Sequence, residues 1–215
     1  ALNEIYFPSC NFTKASPEAA KRIRAYLKQR MPVAGCCRID KLAYTKGSTT
    51  LYLCQACRET IEKRMPNTFT LQNLFAYLVE DPDFAWPDYS GLTATVQDCW
   101  RDRRHPEVFA AVRMALEKMH VSVTEMKENR ERSVYCGTLH FEPKDPENIA
   151  LLAEWEDQSI SHMPRESQFR LMREQVEKFP CQLAVTCCNR CTDGIEMAGG
   201  KAVHLMELAM GTYDR

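Results

Sequence analysis

Nine of the eleven cysteines fall into two sets that recur in the same order, and this pattern constrains the fold more than any other feature. The first set is Cys10, the doublet Cys36-Cys37, Cys54 and Cys57; the second is Cys99, Cys136, Cys188 and Cys191. Each set closes on a C-x2-C pair. At least three chain segments must converge to bring four or five sulfurs to one point. A lone C-x2-C is common to zinc, redox and cluster sites, but two sets in one order ask for a repeated scaffold.

The residues between the cysteines outline that scaffold. Glu4-Ile5-Tyr6-Phe7-Pro8 reads as a short strand running into Cys10. Ser16-Pro17-Glu18 opens a helix to about Met31, with a serine cap, proline at the first position and an acidic first turn. Val33 and Ala34 lead a short strand into Cys36, and Thr50-Leu51-Tyr52-Leu53 is a strand ending at Cys54. Cys57 opens the next helix, and residues 69–78 carry Leu71, Leu74, Phe75 and Leu78 at helical spacing. Prolines and turn formers from Asp81 to Gly91 mark a boundary.

After that boundary the order repeats. Strands are expected at residues 92–96, just short of Cys99, at 121–126, leading towards Cys136, and at 183–186, ending at Cys187-Cys188. Helices are expected at 106–119, from Cys191 onward, and at 203–210. An insertion at about 145–180 holds two more, near 149–155 and 167–179. The chain thus divides into a first repeat, 1–85, and a second, 86–215. Strands alternating with helices predict an α/β fold: two pseudo-repeated Rossmann-like units with short parallel sheets and right-handed crossovers. Ligands of such sheets bind beyond the carboxyl ends of the strands, where the cysteines fall.

Charge and composition narrow the function. A net charge of −1 with 27% charged residues lacks the basic excess of a general nucleic-acid or membrane-surface binder. No apolar run is long enough for a membrane span. Ala1-Leu2-Asn3-Glu4 carries no export signal, so the expected compartment is the cytoplasm. There, closely spaced thiols serve as metal ligands or redox groups rather than as a disulfide framework.

Thiolate sulfur suits iron and zinc alike. A structural zinc takes four ligands, whereas the first set offers five, with adjacent cysteines able to reach two metal atoms; that favours a polynuclear cluster. A C-x2-C at a helix start also aims backbone N–H groups at an anionic cluster. The same geometry lowers a thiol pKa, so a catalytic dithiol stays open, as does zinc. Scattered cysteines are often only small buried hydrophobes, but these are clustered.

Three segments carry a specific resemblance: Val96-Gln97-Asp98-Cys99, the stretch from Glu125 through Tyr135-Cys136-Gly137, and Thr186-Cys187-Cys188-Asn189-Arg190-Cys191. Tyr6-Phe7-Pro8-Ser9-Cys10 is similar to the opening of a first copy. Together they resemble the CCG domain, the cysteine-rich repeat of heterodisulfide reductases and of related thiol:fumarate and lactate-oxidation proteins, over nearly the whole chain. The resemblance implies a noncubane four-iron, four-sulfur cluster at Cys10, Cys36, Cys37, Cys54 and Cys57, where a thiol or disulfide substrate reacts, with Cys36 and Cys37 at the centre of the chemistry. It implies a redox partner carrying ferredoxin-type clusters or flavin. Two positions depart from the pattern. Arg38 stands where the first copy has glycine, and Tyr135 replaces the first cysteine of the second doublet, leaving Cys99, Cys136, Cys188 and Cys191 for a cluster or, alternatively, zinc. A non-enzymatic interaction protein held by metal is the other class. Arg101, Arg103, Arg104 and His105 form a basic group beside Cys99 that reads as a solvated face or an anion site.

Overall fold

The computed structural model describes residues 4–40, 46–155 and 159–214. The opening residues 1–3 and residues 156–158 of the insertion lie outside the described residues.

The first unit contains β1 (Glu4–Phe7), α1 (Cys10–Ala15), α2 (Pro17–Lys28), β2 (Thr49–Tyr52), α3 (Gln55–Arg64), β3 (Thr70–Asn73) and α4 (Leu74–Glu80). The second contains β4 (Thr93–Gln97), α5 (Pro106–Lys118), β5 (Ser122–Val123), α6 (Pro146–Ala153), α7 (Arg165–Val176), β6 (Leu183–Thr186), α8 (Asn189–Met197), β7 (Lys201–His204) and α9 (Leu205–Ala209). Among the described residues these strands all pair in parallel, in the orders β1-β2-β3 and β5-β4-β6-β7. An isolated parallel bridge, Tyr6 with Val33, takes the place on β1 that β5 takes on β4. The two sheets therefore share one order, and the expected α/β repeat is present with its fourth strand reduced to a bridge in the first copy.

Register puts the cysteines on one level. Phe7 pairs with Tyr52, so Cys10 and Cys54 lie three and two residues beyond the ends of neighbouring strands. Gln97 pairs with Thr186, so Cys99 and Cys188 both lie two residues beyond theirs. Helix starts follow ordinary chemistry. Pro17 and Pro106 open α2 and α5, where a missing N–H costs nothing. Asn73 caps α4 through its side chain, and His204 caps α9 in the equivalent place.

One core joins the two units: Ile23 and Leu27 of α2, Leu74, Phe75 and Leu78 of α4, Val112 and Leu116 of α5, and Leu205 and Leu208 of α9. Each such side chain contributes about 1.5–3 kcal/mol by leaving water. Among the described residues no helix is long and apolar enough to cross a membrane.

Several expected elements differ in detail. Residues 69–78 and 203–210 are not single helices; each is a strand that turns sharply into a helix at Asn73 or His204. The strand expected at 121–126 pairs only at Ser122–Val123. Helices α3 and α8 begin earlier than Cys57 and Cys191, with Cys54 and Cys188 in the cap positions. A short helix, α1, starts at Cys10 itself, capped by Ser9.

Candidate metal centre and the cavity beside it

The second cysteine set converges tightly. Sγ atoms of Cys99, Cys136, Cys188 and Cys191 all lie within 4.8 Å of one another. Cys99 and Cys136 are 3.3 Å apart, and Cys136 and Cys188 are 4.0 Å apart. Four metal–sulfur bonds of about 2.3 Å in a tetrahedron place sulfurs about 3.8 Å apart, so this spacing fits one metal ion. Three of the four residues are buried and Cys188 is half-buried. The group can hold a metal.

Local structure explains how the sulfurs meet. In both units the N–H of the second C-x2-C cysteine bonds the carbonyl of the first at 3.0 Å, folding the pair into one turn. Cys136 arrives on a loop whose Gly137 has φ of +55°, and a Cβ there would lie 1.9 Å from the Arg190 carbonyl oxygen. Only glycine lets that loop reach the turn holding Cys188 and Cys191. Cys99 is fixed through its neighbour. Asp98, buried, receives both Arg113 guanidinium nitrogens at 2.6 Å and the Arg130 N–H at 2.7 Å. Arg113 also bonds Glu125, and Asn129 donates to Glu125 as well. The Glu125-to-Ser133 stretch thus straps the Cys136 loop to the end of β4.

Tyr135 supplies no ligand. Its ring packs edge-on to Phe141, and its hydroxyl lies 2.3 Å from where a Cβ on Gly194 would stand, within the core beneath α8. Its backbone carbonyl, rather than its ring, faces Cys191, at 3.8 Å from Sγ. Cys187, the spare thiol beside the set, instead contacts Asp102 at 3.4 Å.

The first set surrounds a separate cavity of about 110 Å³, lined by Cys10, Cys36, Cys37, Cys54 and Cys57 together with Arg38. Cys54 and Cys57 are 3.5 Å apart, and the Ser9 hydroxyl donates to Cys54 at 3.4 Å. Cys10 is exposed, so the set opens to the surface. Five thiols from three segments around one space suit a group with several metal atoms.

Thiol acidities follow the contacts. Hydrogen bonds from Cys57 and Ser9 hold Cys54 down to about 6, and a bond from Cys57 holds Cys37 down to about 7. Contact with Cys36 pushes Cys10 up to about 11. Bonds from Cys136, Cys191 and Cys99 likewise hold Cys188 well below the ordinary thiol value. The two helix-capping cysteines, Cys54 and Cys188, are thus thiolate-forming positions in their sets.

Between the two sets lies a cavity of about 290 Å³. Cys54 lines it from the first set, and Cys99 and Cys188 line it from the second. Its wall includes Asp102, whose carboxylate accepts from Gln55 Nε2 at 2.6 Å. Burial pushes Asp102 up to about 7, so this carboxyl can hold or release a proton near neutral pH. Sequence reading missed Ser9, Gln55 and Asp102. Their only signal was position, each within three residues of a ligand-type cysteine at a strand end.

No family model, curated protein or solved structure matches this chain.

Proposed function

We propose that the chain is an iron–sulfur redox protein of heterodisulfide-reductase type, acting on a thiol or disulfide substrate with electrons from a cluster- or flavin-bearing partner. One observation carries this reading: Cys54 of the first set and Cys99 and Cys188 of the second, at equivalent strand ends, line the same 290 Å³ cavity. On this reading Cys10, Cys36, Cys37, Cys54 and Cys57 hold a four-iron cluster in the 110 Å³ cavity, where Cys36 and Cys37 take part in its redox chemistry, and Cys54 stands on the wall shared with the central cavity. A cluster bound there supplies electrons singly, whereas a disulfide takes up two electrons and two protons to give two thiols. The chain's own part is to hold the disulfide beside Cys54 and to keep a protonatable group, Asp102, at the cavity wall.

Cys99, Cys136, Cys188 and Cys191 take the other role. Their close, buried packing favours a single four-coordinate metal ion, zinc or iron, that locks strand ends β4 and β6 to the Cys136 loop. That assignment favours a structural part for the second site, as in a metal-stabilised protein.

Anaerobic disulfide reduction driven by a reduced viologen dye tests the division of labour. Cys37→Ala should abolish turnover while the second-site metal stays bound. Cys188→Ala should lose that metal and stability first. Full turnover in Cys37→Ala, with turnover lost in a folded, iron-replete Cys188→Ala, would exchange the roles.

A further inference from the structure

The central cavity does not end at the cysteines. Glu59, Arg101 and Leu139 line both it and an open groove of about 610 Å³ on the surface. The groove is formed by Trp100, Arg101, Arg103, Arg104 and His140. These residues come from the turn after Cys99 and from the loop after Gly137, so the groove leads from the second thiol set outward.

Its charge is lopsided. Arg38, Arg101 and Arg190 line the cavity and Arg103 and Arg104 the groove, against only Glu59 and Asp102 as acids. The chain as a whole carries a net charge of −1, so this concentration is local. Arg101 is paired with Glu59, and Arg103 lies 3.8 Å from Glu142. Arg104 and Arg190 have no ion pair among the described residues.

The groove is also stiffened. His140 stacks on Trp100 with ring centroids 3.8 Å apart and an interplanar angle of 20°, and its Nε2 lies 2.9 Å from Glu142. The Arg103 guanidinium sits over the Trp100 ring, 4.6 Å from its centroid. A guanidinium held against an aromatic face loses little freedom when it receives an anion, and its planar fork matches carboxylate and phosphate oxygens.

We propose that this groove binds the phosphate or carboxylate end of an elongated substrate whose sulfur end lies in the central cavity. The proposal rests on the reading of that cavity as a thiol or disulfide site, and it makes the substrate an anionic molecule rather than a neutral dithiol. Among the described residues Arg104 has no carboxylate partner and Arg101 and Arg103 each face one, so the groove keeps a net positive charge for one anionic group.

Calorimetric titration of the anaerobically purified protein at low salt tests it, with inorganic pyrophosphate and tricarballylate as separate probes. At least one should bind, and whichever binds more tightly names the anion class. The double variant Arg103→Gln/Arg104→Gln should weaken that binding tenfold or more. Arg104→Gln alone removes an exposed, unpaired side chain, so it should fold normally and weaken binding severalfold. Lys21→Gln/Lys28→Gln, on the basic face of α2, should leave binding unchanged. Absence of binding to either probe overturns the proposal, as does wild-type binding in the groove variants or equal weakening by the α2 pair. The titration needs no turnover, so anion binding without disulfide reduction would refute the redox reading alone.

Discussion

Replacing Gly137 with alanine tests how the second site is assembled. Its φ of +55° costs an alanine about 1 kcal/mol or more. The added Cβ would lie 1.9 Å from the Arg190 carbonyl oxygen and 2.7 Å from its carbon, where 3.0 Å is the closest approach that real Cβ atoms make. Neither partner is a flexible side-chain tip. Arg190 is in the first turn of α8, between Cys188 and Cys191, and Gly137 directly follows Cys136. Relief must therefore move one ligand-bearing backbone away from the other, at a further cost of about 1–3 kcal/mol. The expected loss is about 2–5 kcal/mol in urea denaturation. Zinc affinity should fall at least about tenfold, since 1.4 kcal/mol of strain felt at the site suffices for that. Gly47→Ala is the control, because Gly47 also has positive φ but meets nothing within 4 Å. It should cost only the conformational part and leave metal affinity intact. If Gly137→Ala behaved like Gly47→Ala in both measurements, the close approach would not be what gathers these thiols.

Two further outcomes follow from buried groups. Arg113→Met leaves the Asp98 carboxylate, with 1% side-chain exposure, without its bidentate partner, and should cost about 3–5 kcal/mol by thermal or urea unfolding; adding Asp98→Asn should recover part of that loss. Burial holds His204 down to about 4, below its unfolded value near 6.5, so its protonation favours the unfolded chain. The stability it allows is fully present above pH 6.5 and declines by about 3 kcal/mol as pH falls through 4. His204→Asn, which copies the Asn73 cap of the equivalent helix, should flatten the pH 7-to-4.5 stability profile relative to wild type; an unchanged slope would show that another group carries it.

The repeat was legible because cysteines at strand ends mark the same topological position twice, and the parallel pairing followed from the alternation of strands and helices; the order of strands within each sheet was not read from the sequence. Boundaries at residues 69–78 were not legible. Leu71, Leu74, Phe75 and Leu78 have helical spacing, yet Thr70–Asn73 pairs alongside β2, and Asn73 ends the strand by capping α4. A four-residue edge strand fused to a short helix leaves too few positions for either period to declare itself. The same is true of residues 203–210. The four-cysteine site was legible as a set, but the burial of the Tyr135 ring beneath α8 and the attachment of Cys187 to Asp102 depend on packing that spacing does not encode. Nor does sequence reveal that Asp98, one residue before a ligand-type cysteine, is held by Arg113 from the middle of α5 and by the loop beyond β5.

Metal and acid-labile sulfide analysis of the protein, purified without oxygen and without added metal, bears most directly on the two sites. About four irons and four sulfides per chain are expected from the five-cysteine set, with one further iron or zinc from Cys99, Cys136, Cys188 and Cys191. Cys36→Ala/Cys37→Ala should remove the sulfide while that last metal remains. Zinc at one or two per chain with no labile sulfide would contradict a cluster in the first site and leave both cysteine sets as structural metal centres.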